Sequence, residues 1–177
     1  MSNRDSGGYR RTWIDHTSDV HASARDVYEL LADVDGWPRW VPGVTAVQRP
    51  GRGKMAVGDR FTFMLKPASF HPPLPIPCRL LKLEPTLIEW GGGIPGSVTR
   101  HSFALNELGP KRTRVRQVEY ATNLLALVAR IAEPGIYKHG LRMQNALGEY
   151  LAAQNASAEL RVDESDAAAA TRRIGTT

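Results

Sequence analysis

Residues 124–151 constrain the fold of this chain more than any other segment. In its second half, small and apolar residues recur at steps of three or four, the spacing that places side chains on one stripe of an α-helix. They are Ile136, Gly140, Met143, Leu147 and Leu151. The preceding residues, from about 44 to 120, have the pattern of short strands interrupted by Gly and Pro, and such strands need an apolar element to cover one face. We therefore predict an antiparallel sheet that curls around a long closing helix.

Length and composition indicate one globular domain. The chain has 177 residues, of which 42% are hydrophobic, and no run reaches the roughly 20 apolar residues of a membrane span. Its single cysteine, Cys78, excludes an internal disulfide and a cysteine-based zinc cluster. The polar amino terminus lacks the apolar core of a signal peptide. We expect a cytoplasmic protein with a flexible lead over 1–11, one domain over 12–154, and a tail over 155–177 that is mobile or a frayed extension of the helix.

The net charge of +5 raises the question of nucleic-acid binding. Arg112, Arg114 and Arg116 alternate with other residues, so in a strand they share one face. No aromatic residues are interleaved with the basic ones, and no nucleic-acid-binding motif is present. We interpret these arginines as a solvated face and expect no nucleic-acid partner.

The region before the sheet predicts a strand over 9–22 followed by two short helices. Ser23 has the character of an N-cap, with Asp26 three residues later in the place of the usual Glu of a capping box. An amphipathic run follows and ends at residues 35–36. Because Pro38 interrupts the next stretch, we predict a separate helical turn there, with Trp37 and Trp40 packing the helix pair onto the sheet.

Six further strands are predicted at hairpin-like intervals, over 44–49, 60–66, 78–83, 87–90, 98–105 and 113–121. The proline-rich segment 67–77 is predicted to be a stiff loop at the rim of a cavity, because each proline removes a donor from a strand ladder. The three glycines at 91–93 lack the context of a phosphate-binding loop and are interpreted as a wide turn.

Two adjacent stretches resemble the START-related helix-grip superfamily (SRPBCC): VHASARDVYELLAD from position 20 and WPRW from position 37. Residues 89–91, 101–103, 113–115 and Glu119 fit the same pattern, so the similarity spans about 13–153. The superfamily holds polyketide cyclases and aromatases, lipid-transfer domains, plant allergen-type carriers and coenzyme Q-binding proteins. The resemblance implies an α+β helix-grip fold, in which a curved antiparallel sheet wraps around the long C-terminal helix, two short helices lie between the first and second strands, and an apolar cavity is enclosed.

Strand parity predicts which polar groups face that cavity. In the last strand Val115 lies between two arginines, so Gln117 and Glu119 share its inward face. In the strand before it, Phe103 marks the inner face and carries His101 with it.

Parity is less decisive for the strand over 78–83. Either Arg79, with Leu81, or Cys78, with Leu80, points inward. The complete set of candidate ligand-binding residues is Phe61, Phe63, Arg79, Trp90, His101, Phe103, Gln117, Glu119, Met143 and Leu147.

Two functions are consistent with such a cavity. The first is binding of a hydrophobic small molecule, such as a lipid, isoprenoid or polyketide-like compound, by a non-catalytic carrier or sensor. The alternative, implied by the resemblance, is a polyketide cyclase or aromatase in which His101, Arg79 or Glu119 assists enolisation and dehydration. His101 and Glu119 on neighbouring strands form an acid–base pair or simply satisfy each other's hydrogen bonds. The five histidines show no metal-binding spacing, so we expect no metal and no cofactor.

The first half of the closing segment carries a separate apolar cluster, made of Leu124, Leu125, Leu127, Val128 and Ile131. It ends at Pro134, which predicts either two helices or one kinked helix. The cluster is interpreted as a lid or buried cap over the cavity mouth, with transient contact to a membrane surface or a partner chain as the alternative. Gly140 either leaves room for the cavity or only permits tight packing. The chain is expected to act as a monomer or homodimer.

Overall fold

The computed structural model describes residues 9–51, 53–66 and 72–174. The strands are β1 (Arg10–Val20), β2 (Val44–Gln48), β3 (Arg60–Leu65), β4 (Leu74–Glu84), β5 (Leu87–Ile94), β6 (Ser97–Gly109) and β7 (Arg112–Thr122). Helix α1 (Ala24–Ala32) and a 3₁₀ helix (Val34–Arg39) lie between β1 and β2, and helix α2 (Asn123–Ile174) follows β7. β1 begins within the predicted lead, of which residues 1–8 lie outside the described part of the chain.

The seven strands form one antiparallel sheet in the order β1-β7-β6-β5-β4-β3-β2. The two strands that flank the short helices in sequence thus become the two edges of the sheet. Helix α2 packs against β1, β7 and β6, and the core lies between the helices and the concave face of the sheet. The predicted α+β helix-grip fold is confirmed.

The helix pair is built as its sequence predicts. The Ser23 hydroxyl caps α1 by accepting a hydrogen bond from the backbone N–H of Asp26 at 3.1 Å and donating to its carboxylate at 2.6 Å. The indole of Trp37 donates to the carbonyl of Leu31 at 3.1 Å, which fixes the 3₁₀ helix against α1. The same ring packs on the sheet through contacts with Phe61, Phe63 and Trp90.

The prediction of a wide turn over the three glycines is wrong, since all three belong to β5. A Cβ atom on Gly91, Gly92 or Gly93 would lie 2.2 to 2.4 Å from a carbonyl oxygen of a neighbouring strand. Glycine is needed because the strands approach too closely for any side chain. The chain reverses three residues after Gly93, at Gly96, whose φ is +75°.

The prediction of a loop over 67–77 is also wrong for its second half. Residues 67–71 lie outside the described residues, but β4 begins at Leu74 and includes Pro75 and Pro77. Between Leu74 and Cys78, β4 has register partners on β3 alone, and its register with β5 begins at Arg79. Residues two apart in a strand present their N–H groups to the same side, so the two donors that Pro75 and Pro77 lack belong to one side of β4. The sheet tolerates this loss because β4 has no register partner on β5 along this stretch.

The closing segment forms one helix, α2, with Pro134 inside it. Of the two alternatives, a single helix is therefore correct, and it runs past Leu151 to Ile174, through most of the predicted tail. Among the described residues, no helix contains a stretch apolar enough to cross a membrane.

The apolar cluster at the start of α2 is largely exposed. Leu124, Leu127 and Val128 retain 56%, 58% and 56% of their accessible surface. The interpretation as a buried cap is wrong for these three residues, and the side chain of Ile131 lies outside the described part of the structure.

The three arginines of β7 lie on the outer face of the sheet, as predicted. They are exposed and pair with carboxylates of the neighbouring β1: Arg112 and Arg114 with Asp19, and Arg116 with Asp15. Their charge is thus partly neutralised within the sheet.

Gly140 allows close packing rather than leaving a void. A Cβ atom at this position would lie 2.1 Å from the Cδ1 atom of Ile14 and 3.3 Å from the Nε2 atom of Gln117. The helix backbone therefore rests directly on β1 and β7 at this point. The alternative in which Gly140 makes room for the cavity is wrong.

We predict that Gly140→Ala destabilises the protein by about 1–3 kcal/mol, because the added methyl group overlaps the buried side chain of Ile14. Gly148→Ala is the matched control in the same helix, since no atom lies within 4 Å of its Cβ position. Removing that helical glycine should stabilise the protein by about 0.5–1 kcal/mol. Chemical denaturation of both variants measures the difference, and an equal response at the two positions would contradict the packing argument.

Candidate functional site

The candidate site is a recess on the concave face of the sheet, at the end where β6 begins and β7 ends. Four inward-facing side chains there are only half-buried: Phe63, Cys78, His101 and Glu119. At the other end of the same strands, inward-facing residues such as Leu80, Phe103 and Val115 are buried. A second buried cluster, made of Trp13, Ile14, Ala121 and Ala126, lies between β1, β7 and α2 at the first end. The helices therefore cover both ends of the concave face, but they cover the four half-buried side chains only in part.

Three of the predicted site residues stand side by side across neighbouring strands. Trp90 on β5 is the register partner of His101 on β6, and His101 is the partner of Glu119 on β7. The ring centroids of Trp90 and His101 are 4.6 Å apart. Parity thus correctly predicts that these groups converge on one patch of the sheet.

Gln117 fixes the protonation of His101. The amide Nε2 atom of Gln117 lies 2.9 Å from the Nε2 atom of His101. Since the amide nitrogen can only donate, the imidazole nitrogen accepts and the ring carries its proton on Nδ1. Burial, together with a smaller effect of the neighbouring His139, lowers the pKa of His101 to about 3. His101 is therefore neutral at physiological pH, while the Oε1 atom of Gln117 is buried with no hydrogen-bond partner among the described residues.

The same burial shifts the pKa of Glu119 in the opposite direction from that of His101. Burial raises the pKa of its carboxyl group to about 7, and the indole of Trp13 offsets this effect only in part. Trp13 reaches the site because β1 shifts register between Thr12 and Ile14, which leaves both Trp13 and Ile14 facing inward and buried. Near neutral pH, Glu119 is a mixture of acid and carboxylate and can both donate and accept a proton.

Cys78 resolves the ambiguity that parity leaves on β4. It lies inside with Leu80, and burial, followed by the charge of Glu119, raises the pKa of its thiol to about 12. It therefore acts as an unreactive part of the wall. Arg79 is exposed on the outer face, so its inclusion among the candidate site residues is a wrong prediction.

His139 is a site residue that the sequence analysis misses. It is half-buried on α2, close enough to His101 to affect its pKa, and burial together with Arg142 lowers its own pKa. It lies three residues after Ile136 and four before Met143, so it belongs to the apolar stripe of the helix. That spacing was the available signal.

The remaining candidates lie around the recess at different depths. Phe63 is half-buried at its side, and the others are buried in the core behind it: Phe61, Trp90, Phe103, Gln117, Met143 and Leu147. Their contact with a ligand stays a prediction. Among the described residues, no group of three or more His, Cys, Asp or Glu side chains is arranged to hold a metal ion.

We predict that Glu119→Gln stabilises the protein relative to wild type as the pH rises. The folded-state pKa of about 7 exceeds the ordinary value of 4.5, so the folded state binds more protons between these values, and its stability falls as the pH rises through them. From pH 5 to pH 8 the variant should gain on the order of 2 kcal/mol on the wild type. Urea denaturation at both pH values measures the gain.

His101 contributes a slope of opposite sign in both proteins. Its folded-state pKa of about 3 lies below 6.5, so its contribution to stability is lost as the pH falls below about 6.5. Because this contribution cancels between wild type and variant, the difference isolates Glu119. A difference that does not change with pH would contradict the burial of a protonated Glu119.

A family model described as "polyketide cyclase / dehydrase and lipid transport" matches residues 11–145. No curated protein sequence matches the chain. Three solved structures share its fold at low sequence identity. An aromatase/cyclase, ZhuI, from Streptomyces sp. R1128 has a TM-score of 0.64 at 19% identity, covering 81% of this chain and 94% of its own.

The second is a START superfamily protein from Mycobacterium smegmatis, with a TM-score of 0.65 at 15% identity, covering 84% of this chain and 99% of its own. The third is a point mutant of norcoclaurine synthase from Thalictrum flavum in complex with a transition-state analogue. It has a TM-score of 0.64 at 17% identity, covering 85% of this chain and 99% of its own. At these identities the similarity establishes the fold alone.

Proposed function

This chain belongs to the polyketide cyclase / dehydrase and lipid transport family, and we propose that it binds a hydrophobic small molecule in the recess between the sheet and α2. The ligand class is a lipid, isoprenoid or polyketide-like compound with at least one polar group. One chain supplies every wall of the recess, so a monomer is sufficient, and a homodimer would carry two independent sites.

The observation that carries this proposal is the combination of depth and access at His101 and Glu119. They are register partners on the inner face of the sheet, where burial shifts both pKa values towards the neutral form, yet both keep part of their accessible surface. In a fully packed core, these side chains would have shifted pKa values but no accessible surface. On an open surface, they would be accessible but their pKa values would not shift. A recess large enough to admit solvent accounts for both.

The chemistry of the walls supports an amphipathic ligand. Apolar surface from the half-buried Phe63 and Cys78 would bury the hydrophobic part, at about 25 cal/mol per Å² removed from water. The polar end would meet neutral His101 and a Glu119 that is able to donate or accept a hydrogen bond.

Proton-transfer catalysis on a poly-β-ketone or aromatic polyketide is the second candidate. The observation that favours it is a carboxyl group with a pKa of about 7 directly across the sheet from a neutral imidazole, since a general acid–base works best with a pKa near the operating pH. Turnover of a poly-β-ketone substrate would support this function. In that case His101→Ala should abolish turnover while leaving affinity within a few-fold.

The binding proposal is tested with the neutral fluorescent probe N-phenyl-1-naphthylamine. We expect the wild type to bind one probe per chain, and Cys78→Phe to weaken that binding by at least tenfold, because the aromatic ring would occupy the recess. Fluorescence titration measures the affinity, and thermal denaturation verifies that the variant is folded.

Arg79→Phe is the matched control, because it introduces the same side chain at the next residue of the same strand on the exposed outer face. It should leave the probe affinity unchanged. Equal affinities in all three proteins would show that the probe binds elsewhere and would contradict the proposed site.

A further inference from the structure

Exposed apolar residues of this chain are concentrated at one corner of the molecule. Of the nine large hydrophobic residues that are exposed among those described, five lie where β1 begins, β5 ends and α2 begins. They are Tyr9, Ile94, Leu124, Leu127 and Val128. We call these five residues the apolar corner. Its exposure is unusual because such residues normally pack inside or occur singly on a surface.

The three segments of the apolar corner are held together by Asn123. Its backbone N–H donates to the carbonyl of Tyr9 at 2.6 Å, and its side-chain oxygen accepts from the Tyr9 N–H at 3.0 Å. Its amide nitrogen donates to the carbonyl of Gly96 at 2.6 Å. Asn123 makes these contacts with a φ of +49°, a conformation uncommon outside glycine. The apolar corner is therefore one connected surface rather than three separate loops.

Basic residues flank this surface along α2. Arg130, Lys138 and Arg142 are exposed, and none of them forms an ion pair with a described residue. Lys138 and Arg142 follow Leu124 by about four and five helical turns, so they lie on the same side of the helix. Arg10, at the start of β1, lies beside the apolar corner with its guanidinium 3.7 Å from the centre of the Tyr120 ring. From 124 to 142 the sequence holds a single acidic residue, Glu133.

The apolar corner also adjoins the open end of the recess. His101 and Glu119 lie near the beginning of β6 and the end of β7, and the same strand ends carry Ile94 through the β5–β6 hairpin and Leu124 through the start of α2.

We propose that the apolar corner and its basic flank dock the protein on an anionic lipid bilayer, with the first half of α2 lying in the interface. A helix with exposed leucines and adjacent lysine and arginine is the pattern of interfacial membrane binding, and basic residues near an anionic surface strengthen that binding. A second copy of the chain fits less well, because a two-fold contact through this surface would bring the like-charged flanks together. The inference rests on the proposed function, since docking brings the recess to the phase in which a hydrophobic ligand dissolves.

The test is co-sedimentation of the full chain with vesicles of phosphatidylcholine alone or with 30% phosphatidylglycerol, at about 50 mM and 500 mM NaCl. We expect binding to the anionic vesicles, at least tenfold weaker binding to neutral ones, and weakening with salt because the Debye length shortens. The double variant Leu127→Glu, Val128→Glu should lose at least tenfold in partition coefficient. Leu108→Glu with Val57→Glu is the matched control, because it replaces one exposed leucine and one exposed valine that lie elsewhere, and it should bind as the wild type does.

Two measurements identify the alternatives. Failure of the wild type to bind anionic vesicles at low salt, or equal loss in both double variants, overturns the inference. Sedimentation velocity without vesicles reports whether the wild type self-associates through the apolar corner, and a dimer abolished by Leu127→Glu, Val128→Glu in a protein that ignores vesicles overturns it in favour of a contact between copies. Binding of N-phenyl-1-naphthylamine in the same variants separates the two proposals: retained probe binding without vesicle binding would leave the proposed function standing.

Discussion

The contact between the backbone of α2 at Gly140 and the side chain of Ile14 determines where the closing helix lies on the sheet. A methyl group at that point would collide with Ile14, so the helix can rest on β1 and β7 at full contact only because the side chain is absent. This contact anchors the helix at the β1 edge, and Met143, Leu147 and Leu151 then fill the far end of the concave face. His101 and Glu119 lie beside this contact, since Ile14 is the register partner of Glu119, and the helix covers their side chains only in part.

The electrostatics of the recess follow from this geometry. Removing water from an ionisable group favours its neutral form, and the same surroundings therefore lower the pKa of His101 and raise the pKa of Glu119. Both groups approach neutrality, although one is a base and the other an acid. The recess therefore presents polar atoms that carry little net charge, which suits an uncharged ligand with hydrogen-bonding groups. The family match is compatible with a carrier and with an enzyme, and the recess has the chemistry that either would need.

Much of this architecture can be predicted from the sequence, because the spacing of apolar residues along a helix or strand indicates which face is buried. The spacing from Ile136 to Leu151 predicts the helix, and alternation in β6 and β7 correctly places His101 and Glu119 on the inner face. The wrong predictions concern residue types that are found in two different kinds of structure. Glycine at 91–93 and proline at 75 and 77 signal turns in isolation, but here they mark close strand approach and an unpaired stretch of β4. The side of β4 on which Arg79 lies depends on tertiary contacts that the pattern of a single strand does not contain. The position of His139, by contrast, was available from its spacing to Ile136 and Met143.

The central claim is that the recess holds an apolar guest, and native mass spectrometry of the protein purified from its own host tests it most directly. The account predicts a species heavier than the bare chain by the mass of one small molecule, released by organic extraction and identifiable as a hydrophobic compound. Spectra that show only the bare chain, under conditions that preserve the complex with an added hydrophobic probe, would contradict it.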